Sequence, residues 1–167
     1  MDELARGKFL RLVQRDGWEW AERVNVSGVV VIVARTPDDE VLFVEQHRIP
    51  VGGPVIEFPA GLAGDVDAEE SLATAAQREL EEETGWRAGR LERLIDGPVS
   101  SGMTSETLTF FRADDLERVG PGGGEGSEDI VVHSVPRSEA VAWLRARREA
   151  GTQVDPKVYA GLFFLAS

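Results

Sequence analysis

The sequence predicts an α/β domain: a mixed β-sheet with flanking helices, preceded by an N-terminal β-hairpin extension. Three observations carry that expectation. Residues 27–35 (SGVVVIVAR) are an almost unbroken β-branched run, the pattern of a strand buried on both faces. Residues 68–84 have helix-forming composition with no Gly or Pro, and Gly85 follows as a stop signal. Shorter apolar runs bounded by Gly, Pro and Asp lie on both sides of that helix, so strands both precede and follow it.

In chain order, residues 8–14 and 18–26 read as strands around Arg15-Asp16-Gly17, where Asp-Gly marks a hairpin turn. After the buried run, a turn at 36–40 leads to a strand over 41–46. A Gly/Pro loop at 50–54 leads to another over 55–58. Asp65 or Asp67 can cap the long helix, since early acids suit its positive end. Residues 91–95 and 106–112 read as strands joined by 96–105. Residues 120–128 (GPGGGEGSE) are low in complexity and predict a mobile loop. A strand over 130–135 follows, then a helix over 137–150 with Ala140, Trp143 and Leu144 inward. The last element is a helix over 155–166, with Asp155 as cap and Pro156 in its first position. No internal repeat is visible.

Composition excludes several classes of function. At 167 residues the chain is one domain with room for a proper core. Its net charge of −12 argues against a general nucleic-acid binder, which needs clustered Lys and Arg. The absence of cysteine removes a disulfide framework, a thiolate zinc site and a thiol nucleophile. No apolar run approaches the ~18 residues that span a bilayer, and MDELARGKFL is not a secretory signal. The expectation is a cytoplasmic protein with no membrane or nucleic-acid partner. Only two histidines occur, His47 and His133, and neither sits in a Ser-His-Asp context.

The chemistry concentrates between Gly64 and Trp86, which follow the pattern G-x5-E-x7-R-E-U-x-E-E-x-G-U with U a bulky apolar residue. On a helix, Leu72, Ala76, Glu79 and Glu83 stand at i, i+4, i+7 and i+11, the spacing of a single buried stripe. That stripe begins apolar and ends in carboxylates, whereas a solvated charge run would sit opposite the apolar face. Like charges one turn apart repel by roughly 0.2–0.5 kcal/mol even when exposed. Two carboxylates at the rim of a core therefore need a counter-charge, and Mg²⁺ supplies one because it prefers carboxylate and carbonyl oxygens together with substrate phosphates. Glu82 lies about a quarter-turn off the stripe, as an outer ligand or a water-mediated contact. Glu69 and Glu81 read as solvated charges, Leu80 and Trp86 as core, and Gly64 and Gly85 as permitting tight turns.

Every fixed position of that pattern is filled, and the segment resembles a complete Nudix box. The resemblance implies an α/β/α sandwich over residues 27–167 and metal-dependent hydrolysis of a diphosphate linked to another moiety. By the same resemblance Glu79 and Glu83 bind Mg²⁺ or Mn²⁺, and Arg78 orients them through Glu70. Gln46-His47-Arg48 and Glu57-Phe58-Pro59-Ala60-Gly61 are similar to the ADP-ribose pyrophosphatase branch. That likeness makes Arg48 a pyrophosphate contact, Glu57 a pocket residue, and the carbonyl of Ala60 a metal ligand within a turn. Residues 101–106 (SGMTSE) resemble a substrate loop of the branch, with Ser101 where the family has proline, and Glu106 becomes a pocket candidate. Residues 125–130 (EGSEDI) resemble its acidic closing loop. There Glu128 matches a metal-side carboxylate, and Glu125 becomes the general base if the loop shifts.

Trp18 and Arg23 have the spacing of an adenine-stacking Trp and an Arg in human-type ADP-sugar pyrophosphatases. Trp20 points the same way as Trp18 along a strand, so either could stack, or both could be core or interface aromatics. In that family the N-terminal strands, here residues 1–26, are exchanged across a homodimer. The implied partner is a small nucleoside diphosphate derivative, and for ADP-ribose the products are AMP and ribose 5-phosphate. Two alternatives stand beside this reading: a pyrophosphatase for another NDP-sugar or dinucleotide, and a non-catalytic ligand-sensing module. Intact Glu79, Glu82 and Glu83 argue against the second.

Overall fold

The computed structural model describes residues 1–65, 67–124, 126 and 129–166. The N-terminal segment forms three strands, β1 (Asp2–Arg6), β2 (Leu10–Arg15) and β3 (Trp18–Arg23), in a sheet of their own. The Asp-Gly turn is where the sequence puts it: Asp16 and Gly17 both have positive φ, and Arg15 pairs directly with Trp18. β1 was not expected, because three of its five residues are charged and all are exposed; pairing with β2, not burial, holds it.

Two four-stranded sheets build the body. One contains β7 (Ala60–Ala63), β4 (Gly28–Ala34), β9 (Thr107–Arg118) and β8 (Trp86–Pro98) in that order. The other contains β10 (Val131–Pro136), β5 (Glu40–Arg48), β6 (Gly53–Glu57) and β11 (Gln153–Val154). Both are mixed: β4 runs parallel to β9 and β11 parallel to β6, with the other pairs antiparallel. Three α-helices, α1 (Leu72–Thr84), α2 (Ala140–Glu149) and α3 (Pro156–Leu165), complete the fold.

β4 is the axis of the molecule, and its alternation explains the layers. Val30, Ile32 and Ala34 pack with Ala75, Ala76 and Leu80 of α1. Val29, Val31 and Val33 pack instead with Phe43, Ile56 and Phe58 and with Leu144 of α2 and Val158 of α3. The strands thus lie between α1 and the α2/α3 pair. Trp143 stacks on Phe43 at 5.5 Å and Phe43 on Phe58 at 5.4 Å, a ladder that seats α2.

Three expectations need correction. α1 begins at Leu72 with Ser71 as its cap, its hydroxyl accepting from the Thr74 N–H at 3.1 Å. Asp67 instead closes a short turn by accepting from the Glu69 N–H, so neither Asp65 nor Asp67 caps the helix. The Pro59-Ala60-Gly61 turn is the entry to β7: Pro59 carbonyl accepts from Ile32, and Ala60 pairs with Val31. Residues 120–124 of the glycine-rich loop are tied down, since Gly123 and Gly124 N–H groups donate to the carbonyls of Glu83 and Glu82 at 2.8 and 3.1 Å. Gly122 and Gly85 allow the close approach. A Cβ on Gly122 would lie 2.4 Å from the Thr84 carbonyl carbon, and one on Gly85 would lie 2.2 Å from the Gly120 carbonyl oxygen.

Close approach also fixes α3. A Cβ on Gly161 would sit 2.2 Å from Phe58 and 2.8 Å from Val33. Gly161→Ala should therefore destabilise the fold by about 1–3 kcal/mol, the usual cost of overpacking. Urea denaturation would measure this, and an unchanged midpoint would contradict the packing described.

Candidate active site

The end of α1 is organised by one arginine. Arg78 donates to Glu70 at 3.0 Å and to the Leu62 carbonyl at 2.9 Å, which ties the helix to β7 and to the segment preceding it. Its third nitrogen donates to Glu79 at 2.8 Å and to Glu82 at 3.0 Å. Glu70 and the other carboxylates hold Arg78 still more firmly in its charged form. A single guanidinium fork thus satisfies four acceptors, as planar donors in fixed geometry can.

Glu79 and Glu83 lie against β7. Glu83 is only 5% exposed, and its carboxylate accepts from the Ala60 N–H at 3.1 Å. Glu79 lies so close to the strand that a Cβ on Gly61 would fall 1.9 Å from its carboxyl carbon. Burial pushes the Glu79 carboxyl up to about 7, against the pull of Arg78 beside it, and Glu82 and Asp65 push the same way. A cation arriving here would meet a carboxylate that water does not stabilise.

Both glutamates line a cavity of about 440 Å³ that opens between the two body sheets. Val29, Val31 and Leu108 give it an apolar floor. Arg48 donates to Glu57 at 2.7 Å, and Arg23 pairs with Glu106. Lys157 also lines the cavity and pairs with Asp155. Five carboxylates (Glu57, Asp65, Glu79, Glu83, Glu106) face three cations, so the pocket carries an acidic excess that suits a metal ion better than a bare anion. Among the described residues, no three acids are clustered tightly enough to enclose an ion unaided.

Of the residues the sequence nominated, Glu79, Glu83 and Ala60 meet in this cavity with Arg23, Arg48, Glu57 and Glu106. Glu82 lies on the neighbouring face of α1, reaching the cluster through Arg78. Trp18 is 64% exposed at the start of β3, and Trp20 donates to Glu22 at 2.8 Å; neither lines the cavity within one chain. Glu125 and Glu128 lie outside the described residues. His133 is bound to Glu45 at 2.8 Å and does not line the cavity.

Sequence reasoning missed Asp65, Lys157 and Gln46 as lining residues. Asp65 read as a helix cap, and Lys157 was hidden behind the capping pair Asp155-Pro156. Gln46 stood in the motif with Arg48 but carried no stated role.

A NUDIX domain model matches residues 25–160. GDP-mannose pyrophosphatase of Pectobacterium atrosepticum is 35% identical over 130 residues, covering 73% of this chain and 65% of that protein. ADP-sugar pyrophosphatase of Mus musculus is 37% identical over 158 residues, covering 90% of this chain and 69% of that one. The methanol dehydrogenase activator of Bacillus methanolicus is 30% identical over 128 residues, covering 76% and 68%. The chain therefore spans about two thirds of the length of these relatives. In fold, it matches the crystal structure of an ADP compounds hydrolase with a TM-score of 0.75 at 21% identity, over 99% of this chain and 89% of that one.

The state of Glu79 makes stability depend on pH. Between its ordinary value of 4.5 and about 7, the unfolded chain has lost this proton while the folded chain keeps it. The folded state then binds more protons, so stability falls as pH rises through that window, and the penalty is complete above it. Glu79→Gln removes the penalty. In chelator, its thermal midpoint should exceed the wild-type value at pH 8, with the gap narrowing at pH 5. A gap equal at both pH values would show that Glu79 is ionised throughout.

Proposed function

The chain belongs to the Nudix family, and we propose that its pocket is a divalent-metal-dependent pyrophosphatase site for ADP-ribose, releasing AMP and ribose 5-phosphate. One observation carries this reading: two partly or fully buried glutamates and the Ala60 backbone share a cavity with Arg23 and Arg48. Relatives named as ADP-sugar and GDP-mannose pyrophosphatases support a nucleotide-sugar substrate.

The donor set fits a hard cation. Glu79, Glu83 and the Ala60 carbonyl would hold Mg²⁺, or Mn²⁺ in its place, with Glu82 at the edge and Glu128 added from the acidic loop. When bound, the metal supplies charge neutralisation on the diphosphate and a lowered pKa for a coordinated water. The protein does the rest. Arg78 keeps Glu82 and Glu79 aligned through its fork. Arg48 exchanges its bond to Glu57 for phosphate oxygens, which a guanidinium can hold in pairs. Glu125 or Glu128 takes the proton of the attacking water. The apolar floor excludes competing water, which strengthens each of these charge contacts.

The exposed Trp18 supports stacking on the adenine of a second copy's substrate. Residues 1–26 are then the unit exchanged in a homodimer, and Arg23 and Glu106 join that end of the site. Trp20, half-buried beside Glu22, is the second aromatic available there. No helix among the described residues is long and apolar enough to cross a membrane. We place the enzyme in the cytoplasm, with no membrane or nucleic-acid partner.

The test is turnover with Mg²⁺ on ADP-ribose, GDP-mannose, other NDP-sugars, NADH and dinucleoside polyphosphates. ADP-ribose should be cleaved in preference, and chelator should abolish cleavage. Glu83→Gln should lower kcat at least about a hundredfold, the scale of losing one preorganised electrostatic contact, with the far-ultraviolet dichroism unchanged. Preference for another NDP-sugar would move the specificity and keep the chemistry. Binding of ADP-ribose without turnover of anything would make the protein a sensor.

A further inference from the structure

We infer that Lys157 is a substrate-contacting residue that selects the sugar on the second phosphate, and that the cleft beyond it holds this sugar. The inference rests on the pocket being a diphosphate site. Two cavities meet at this side chain. The active-site cavity and a second of about 380 Å³ share Val99, Leu108 and Lys157 as walls. The second runs between the end of β8 and α3 and is lined by apolar groups such as Ile95, Phe110 and Phe163. Lys157 is the one cation lining it among the described residues.

Local sequence places the ammonium at that junction. One oxygen of Asp155 caps α3 by accepting from the Lys157 N–H at 2.8 Å, and the other pairs with the Lys157 ammonium. The Asp155 N–H donates to the Ile56 carbonyl at 3.0 Å, and Val154 pairs with Ile56 in the sheet. The cation is thereby anchored to β6, the strand that carries Glu57, the partner of Arg48. Arg23, Arg48 and Lys157 thus show one arrangement three times: a pocket cation held by a single carboxylate.

An ammonium on a flexible stem can leave such a partner for an arriving phosphate or hydroxyl oxygen, because its three donors rotate and its charge is compact. Beyond it, the walls offer apolar surface. A sugar ring presents both features required, hydroxyls at its edge and a C–H face for the cleft. The selected class is therefore nucleoside diphosphates with a sugar on the second phosphate, in preference to nucleoside di- or triphosphates without one.

Calorimetric binding of the non-hydrolysable α,β-methylene analogues of ADP-ribose and of ADP with Mg²⁺, to wild type, Lys157→Gln and Lys157→Arg, separates this role from helix capping. Lys157→Gln should weaken ADP-ribose binding about tenfold, the scale of a lost charge-assisted hydrogen bond. ADP binding should be unchanged, and Lys157→Arg should recover most of the loss. Equal weakening of both ligands, or of neither, would overturn the inference. Should the expected pattern appear in a protein that hydrolyses no diphosphate, the pyrophosphatase reading fails while the role of Lys157 in binding stands.

Discussion

The pocket depends on how closely the end of α1 lies on β7. Gly61 has no side chain where the Glu79 carboxyl rests, and Glu83 reaches the Ala60 N–H across the same gap. A Cβ at Gly61 would force the Glu79 side chain to shift and carry its carboxyl away from β7, against which Glu83 also lies. The other end of the contact is equally tight. Gly85 and Gly122 let the segment after β9 dock on the last turn of α1, where its N–H groups satisfy carbonyls that a helix end leaves unpaired.

Such closeness has an electrostatic consequence. Glu79, Glu82 and Glu83 are crowded into one helical turn, and burial, with Glu82 nearby, disfavours ionisation of Glu79. Arg78 offsets part of this through Glu70, Leu62, Glu79 and Glu82, and so ties helix, strand and acids into one unit. The cavity lining still holds more carboxylates than cations, and two of its three cations are arginines already matched by carboxylates of their own. A divalent cation and a diphosphate together neutralise both sides. Neither alone would do so, and this charge distribution therefore supports the joint occupancy proposed above.

Much of this was legible in the sequence, for reasons that differ by element. β4 declared itself by an unbroken β-branched run, and both its faces are buried. The stripe ending in Glu79 and Glu83 was readable because helical periodicity converts spacing into a shared face, and the pairing of Arg78 with Glu70 followed from the family pattern. β7 was not legible: Pro59-Ala60-Gly61 has turn composition, and only its pairing with β4 makes it a strand. Exposed β1 escaped notice because its register with β2, and not hydrophobic patterning, defines it. Composition also gave no sign of the bonds that residues 123 and 124 make to α1, or of the close approach that Gly122 allows. Lys157 joins the pocket only through the tertiary placement of α3, which no local pattern encodes.

The central claim is that the oxygens at the end of α1 form a divalent cation site. Mn²⁺ titration followed by electron paramagnetic resonance measures it most directly, on wild type and on Glu79→Gln and Glu83→Gln at pH 8. The account predicts saturable binding to wild type and at least about tenfold weaker binding to each variant, one charged contact having been removed. Equal affinity in all three proteins would place the ion elsewhere and contradict the account.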